Sequence, residues 1–244
     1  MTPTQSARTS LCTTLLAATL VSCGGDSGAF DDGVDMTGFY TGNFTPEGTD
    51  LDEARLMVDS DGRFVLFTMP YLYVGELRTS GNSFTAKADA FSFYPGFANG
   101  SDTTMSGSVS GKVVTGTFAG GGLSGSLSLA YSTGITSIPT ATDTFTGSHP
   151  SSMNLGESYY ATGTITALPD GSFAADYGDG CTVDGQISVR VADRNLYGFA
   201  AQAKGCATNG SVRGGLGYQT FEGELLLYGS VGNTPVRIYL GNTG

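Results

Sequence analysis

The sequence predicts an all-β protein built of two tandem antiparallel β-barrel or β-sandwich domains, and three observations carry that expectation. Apolar and polar residues alternate: in Leu123-Ser-Gly-Ser-Leu127-Ser-Leu129-Ala-Tyr131 one face is apolar apart from Gly125, while Ser124, Ser126, Ser128 and Ala130 form the other. Period two is the mark of a strand with one buried face. Turn formers separate such runs at Asp61-Gly62, Ser80-Gly81-Asn82 and Pro169-Asp-Gly171. The halves also repeat. Thr37-Gly38 and Asp61-Gly62-x-Phe64 recur 109 residues later as Thr146-Gly147 and Asp170-Gly171-x-Phe173, and Gly107-Ser-Val-Ser-Gly111 recurs as Gly210-Ser-Val-Arg-Gly214.

Residues 1–22 read as a lipoprotein signal peptide. A polar start whose only charge is Arg8 leads into the apolar run Leu11 to Val21 (LCTTLLAATLV). That run is too short to cross a hydrocarbon core, which takes roughly 20 helical residues, so cleavage is expected. Leu20-Val21-Ser22-Cys23 resembles the bacterial lipobox. The resemblance implies a diacylglycerol on the Cys23 thiol, cleavage before Cys23 and acylation of the new amine. Two or three acyl chains on one residue make attachment effectively permanent. Gly24, rather than aspartate, follows the cysteine, which by resemblance to sorted lipoproteins implies the outer membrane. Residues 23–36 then form an acidic, glycine-rich tether with a reach of roughly 20 Å.

The first β-domain is expected over 37–132, a linker over 133–142 and the second β-domain over 143–244. In the first, Phe84 to Ala90 turns Thr85, Lys87 and Asp89 outward and leaves Ala86, Ala88 and Ala90 inward. The following stretch, Phe91-Ser-Phe-Tyr-Pro-Gly-Phe97, breaks the alternation and interrupts the repeat. Its aromatics, Phe91, Phe93, Tyr94 and Phe97, form the candidate partner contact, since such residues dominate interface hot spots. The alternative is that they cap one end of a barrel. In the second domain, Gln186 to Val191 and Val236 to Leu240 alternate in the same way.

Cys12 leaves with the signal and Cys23 is lipidated, so Cys181 and Cys206 remain and are expected to form one disulfide in an exported protein. A two-residue loop at Asp193-Arg194 would set positions 181 and 206 opposite each other on neighbouring strands. Alternatively Asn195 takes a left-handed conformation in a three-residue loop, which slips the register by one and requires a bulge.

Cleavage removes Arg8 and no acid, leaving ten bases against 22 acids, a formal charge of −12. Such a surface repels phosphate backbones, so nucleic acid is excluded as a partner. No catalytic set, metal site or cofactor is expected. Gly25-Asp26-Ser27-Gly28 imitates a protease nucleophile motif but lies in the tether, and the only base available to it is His149. His149 occupies the repeat position of Tyr40, a ring replacing a ring, and one histidine with two paired cysteines leaves no zinc ligand set. Gly120-Gly-Gly122-Leu-Ser-Gly125 fits GxGxxG, yet a strand follows where a dinucleotide site needs a helix. Asp59-Ser-Asp61-Gly62 starts like an EF-hand loop without the later ligands, and Asp176, Asp179 and Asp184 are equally weak as calcium ligands.

Gly38-x-Tyr40-x-Gly42, the Asp-Gly turn, Gly107 to Gly111, Asp170-Gly-Ser-Phe173, Gly180-Cys181-Thr182, Asn195-Leu-Tyr197 and Cys206 together resemble a set of uncharacterised proteobacterial outer-membrane lipoproteins, over most of the mature chain. That family has no assigned activity. A more distant likeness, in architecture only, is to transferrin-binding-type surface lipoproteins with tandem glycine-rich β-units. These readings converge on a membrane-anchored, non-enzymatic binding or interaction module of the bacterial cell envelope, with a protein or other macromolecular partner. The alternative is a lipocalin-like carrier holding a small apolar ligand inside a barrel. An envelope hydrolase is disfavoured, because general acid-base chemistry near neutral pH so often uses histidine.

Overall fold

The alternating runs become sixteen antiparallel strands in a computed structural model that describes residues 33–48, 52–96, 99–157 and 159–241. The first eight are β1 (Gly38–Pro46), β2 (Asp52–Val58), β3 (Arg63–Thr68), β4 (Tyr71–Ser80), β5 (Ser83–Ser92), β6 (Ser101–Ser110), β7 (Val113–Gly120) and β8 (Leu123–Tyr131). Each pairs with its sequence neighbours, and β8 returns to β1 with Leu129 opposite Gly42, which closes a barrel. The next eight are β9 (Gly147–Leu155), β10 (Tyr159–Ala167), β11 (Ser172–Asp176), β12 (Thr182–Val191), β13 (Leu196–Lys204), β14 (Gly210–Gln219), β15 (Leu225–Val231) and β16 (Thr234–Leu240). They close a second barrel through Ile238 opposite Met153. Closure decides between barrel and sandwich, and it leaves neither sheet an edge. A single helical turn, α1 (Thr133–Thr136), and a 3-10 turn (Thr142–Phe145) join the two.

The repeated Asp-Gly-x-Phe motif has a physical basis in both halves. Gly62 and Gly171 stand at φ 77° and 85° in the β2–β3 and β10–β11 turns, where a side chain would be strained. Phe64 and Phe173 then point inward opposite Gly75 and Gly185. A Cβ on Gly75 would fall 2.0 Å from the Lys87 carbonyl oxygen, and one on Gly185 would fall 2.3 Å from that of Ala200. The barrel wall therefore bends sharply where the aromatic ring fills the bore. The third repeat landmark does not hold. Gly107 to Gly111 closes β6 and enters its turn, whereas Gly210 to Gly214 opens β14, so the matching letters occupy opposite ends of corresponding strands.

Inside the first barrel pack Tyr40, Phe44, Leu66, Tyr73, Phe84 and Phe118 with their aliphatic neighbours, Phe44 stacking on Phe118 at 4.0 Å. Ala86, Ala88 and Ala90 do face inward, and the remaining bore space is about 10 Å³, at most the size of a single water site. The second barrel encloses Met153, Ile165, Phe173, Tyr197, Phe199 and Ile238 in the same manner.

Two expectations need correction. The tether is expected to run to residue 36, but its described end is docked: Met36 is fully buried in the first barrel's core, and the Val34 amide donates to the Gly81 carbonyl at 3.0 Å. An apolar residue at the open mouth of a barrel gains more from filling it than from staying in water. The β12–β13 hairpin has neither a two- nor a three-residue loop: residues 192–195 form a four-residue turn, and the left-handed Asn195, the bulge and the one-residue slip of the second reading are all present. Asn195 adopts φ 50°, Val191 pairs with Leu196, and a bulge between Val189 and Val191 shifts the remaining pairs by one, so that Thr182 faces Lys204. Cys181 and Cys206 are nevertheless bonded, with Cα atoms 4.3 Å apart, just beyond the last paired residues. Gly205, at φ 64°, supplies the extra residue that brings Cys206 back into reach.

Candidate functional site: the cleft between the barrels

The alternation breaks most clearly in two strands. In Phe64-Val-Leu-Phe67 of β3 and Leu225-Leu-Leu-Tyr228 of β15, both faces are apolar. Phe64, Leu66, Leu225 and Leu227 fill the bores, which leaves Val65, Phe67, Leu226 and Tyr228 pointing outward. These outward side chains bury themselves against the other barrel. Phe39, Met57, Leu72 and Phe91 of the first barrel meet Leu196, Leu216, Tyr218 and Tyr228 of the second in one continuous cluster. Phe39 and Tyr218 lie 4.5 Å apart, and Phe67 and Tyr228 4.8 Å apart, between ring centroids.

This seam corrects the reading of the aromatic stretch. Phe91 is 1% exposed and Phe93 is buried beside it, 6.5 Å from Phe67, so neither offers a surface to an outside partner. Their partner is the other barrel, because unpaired rings on a strand face are covered by the nearest apolar face. Tyr94 remains 55% exposed, while Phe97 and Cys23 lie outside the described residues.

Polar groups frame one side of the seam. Arg55, on β2, donates through Nη1 to the Tyr218 hydroxyl at 2.7 Å, and through Nε and Nη2 to Glu53 Oε1 at 3.4 and 3.3 Å. The Tyr218 and Tyr228 hydroxyls bond each other. Burial pushes both phenols above their ordinary range, and the Arg55 charge works against that shift at each. Beyond them opens a cleft of about 330 Å³ lined by Glu53, Arg55, Phe67, Met69, Leu226, Tyr228 and Arg237. Arg237, on β16, faces Tyr228 across one strand pair and Asn154 across the next, and Asn154 in turn faces Tyr160. These four form a row on the outer wall of the second barrel, running from the buried seam to the exposed Tyr160 ring. The Arg237 guanidinium carbon sits 6.0 Å from the Phe67 ring centroid.

The arrangement suits binding. The one carboxylate among the described residues lining the cleft is held by Arg55, and the two hydroxyls at the seam, of Tyr218 and Tyr228, belong to buried tyrosines whose protons are held tightly. A larger concavity, about 570 Å³, lies over the outer faces of β4 to β6 and is framed by Glu76, Arg78, Lys87 and Thr104. Those four side chains lie on the outer wall, with the core residues Ala86 and Met105 at the floor of the hollow.

The sequence decoys have structural roles. His149 is buried where Tyr40 sits in the first barrel, with Nε2 2.9 Å from the Phe145 carbonyl and Nδ1 3.2 Å from that of Gly241. Asp59 Oδ1 accepts the Asp61 and Arg63 amides at 3.0 and 2.9 Å and shapes the turn. Asp184 pairs with Lys204 at 3.7 Å, and Asp176 accepts the Gly178 amide. Gly120 to Gly122 form the β7–β8 corner.

Sequence reasoning does not single out Arg55 or Arg237. The signal that points to their surroundings is the double-faced apolar run in β3 and β15, which marks strands covered on both sides. Comparison with known proteins finds no matching family model, no similar curated protein and no similar solved structure. Function has to be read from the cleft and its surroundings.

Proposed function

We propose that this chain is a lipid-anchored, non-enzymatic binding module of the bacterial cell envelope, held at the outer membrane through Cys23 and engaging its ligand on the outside of the paired barrels. One observation carries the choice of surface: the first barrel's bore is filled to about 10 Å³, whereas the cleft between the barrels offers about 330 Å³ lined by two arginines and three apolar side chains. Closed eight-stranded barrels also suit a lipocalin-like carrier, but a carrier needs a cavity of small-molecule size, and this bore is filled by rings. The anchor rests on the lipobox-like Leu20 to Cys23 and the apolar run before it.

Palmitate labelling and membrane fractionation of the wild type and Cys23→Ala test the anchor. Label on the wild type alone, with the variant unprocessed or released, supports it; an unlabelled, soluble wild type overturns it. Titration with an environment-sensitive apolar dye tests the choice of surface. Saturable uptake that survives substitution of the cleft residues assigns the interior instead.

A further inference from the structure

We propose that the cleft is an oxyanion site, taking a carboxylate or phosphate borne on a small ligand with an apolar or ring-shaped portion, with Arg237 as its principal charge partner. The proposal rests on the reading of the chain as a binding module and names what the cleft takes.

The starting point is a half-buried guanidinium with no carboxylate partner among the described residues. Arg237 has no hydrogen-bonded or ion-paired partner among the described residues, and it lies over the face of Phe67. This stands out because acids outnumber bases 22 to 11 in the chain. The other half-buried arginines find them, Arg55 pairing with Glu53 and Arg194 with Asp35, whereas the arginines without an ion pair elsewhere among the described residues, Arg78 and Arg213, are exposed. Beside Arg237 the one carboxylate, Glu53, is bound to Arg55. A partly desolvated cation without a counterion is costly, and an arginine fork matches the two oxygens of a carboxylate or phosphate.

The neighbours complete the site. Arg55 adds a second positive charge across the cleft, anchored by Tyr218 and Glu53 so that it is held in place before a ligand arrives. Asn154, directly opposite Arg237, brings an amide donor to the same face, and Tyr160 beyond it is 65% exposed and offers a ring. Phe67, Leu226 and Met69 supply the apolar wall. A volume of about 330 Å³ is at the lower end of the small-ligand range, which favours a compact anion over a folded partner.

The test uses the full chain purified in neutral detergent, with benzoate and phenyl phosphate as probes and benzamide as the uncharged control, read by calorimetry and by the Arg Nε–H resonances. Saturable binding of either anion, absent for benzamide, is expected. It should weaken at least about tenfold in Arg237→Gln, the weight of one charge-assisted hydrogen bond, with the melting temperature unchanged. Arg237→Lys should retain an intermediate affinity. Dihexanoyl phosphatidic acid separates the sources: binding well above that of phenyl phosphate assigns a lipid headgroup, and equal or weaker binding assigns a free solute anion. The proposal is overturned if the wild type binds neither anion better than benzamide, or if Arg237→Gln binds them equally well. Neither result touches the Cys23 anchor, which the labelling experiment decides separately.

Discussion

Arg55 Nη1 of the first barrel donates at 2.7 Å to the Tyr218 hydroxyl of the second, across 163 residues of sequence. That bond sits at the rim of an apolar seam and holds the two barrels in register beside the cleft. Because the seam is continuous with buried rings on both sides, the barrels should unfold as one unit. Tyr228→Ala removes a fully buried ring and should cost about 3–5 kcal/mol. Calorimetry should show one transition for the wild type and two for the variant; two transitions in the wild type would mean that the seam does not couple the barrels.

Phe91 and Tyr94 lie three residues apart and should behave in opposite ways. Phe91→Ala opens a cavity in the seam, with a loss of about 3–5 kcal/mol. Tyr94→Ala, at an exposed position, should stay within about 0.5 kcal/mol. Denaturant midpoints of the two variants check this, and equal effects would count against the burial of Phe91.

The Cys181–Cys206 bond closes a loop with a sequence separation of 25. On the chain-entropy model, the double serine variant should lose about 3 kcal/mol of stability. Alkylation of the unfolded, unreduced chain followed by intact mass should find neither thiol free.

Asp59 gives a pH signature of definite sign. Burial raises its carboxyl above the ordinary carboxylate range, against the two backbone amides that lower it, and Oδ2 has no partner among the described residues. The folded state thus holds this proton more tightly than the unfolded one. Its contribution to stability is greatest at acid pH and falls as pH rises from the unfolded value through the raised folded one. An asparagine at this position would keep the accepting Oδ1 and lose the charge. Asp59→Asn should therefore stabilise the protein near neutral pH, with the difference in melting temperature from wild type shrinking as pH drops into the carboxylate range. A difference that stays constant with pH would refute the burial account.

What the sequence determined by itself is local. Period-two alternation in stretches such as Leu123 to Tyr131, and glycine-bearing turns at Gly62 and Gly171, specify strands and their reversals because side-chain direction and φ depend only on near neighbours. The Asp-Gly-x-Phe repeat likewise marked equivalent turns, since the ring two residues on has to enter the bore. What only the tertiary structure decided is which apolar faces cover each other. Parity alone puts Phe64 and Phe67 on opposite faces of β3, but what covers the outward Phe67 is decided only when the second barrel docks against that strand. The left-handed Asn195 was open in sequence. Its fully used side chain, which bonds the Ile135 and Gln219 carbonyls and the Gln219 amide, favours that conformation over the tighter turn. The cleft is the extreme case. Arg55 and Arg237 stand 182 residues apart in the numbering and converge only because the outer walls of the two barrels are apolar enough to exclude water between them.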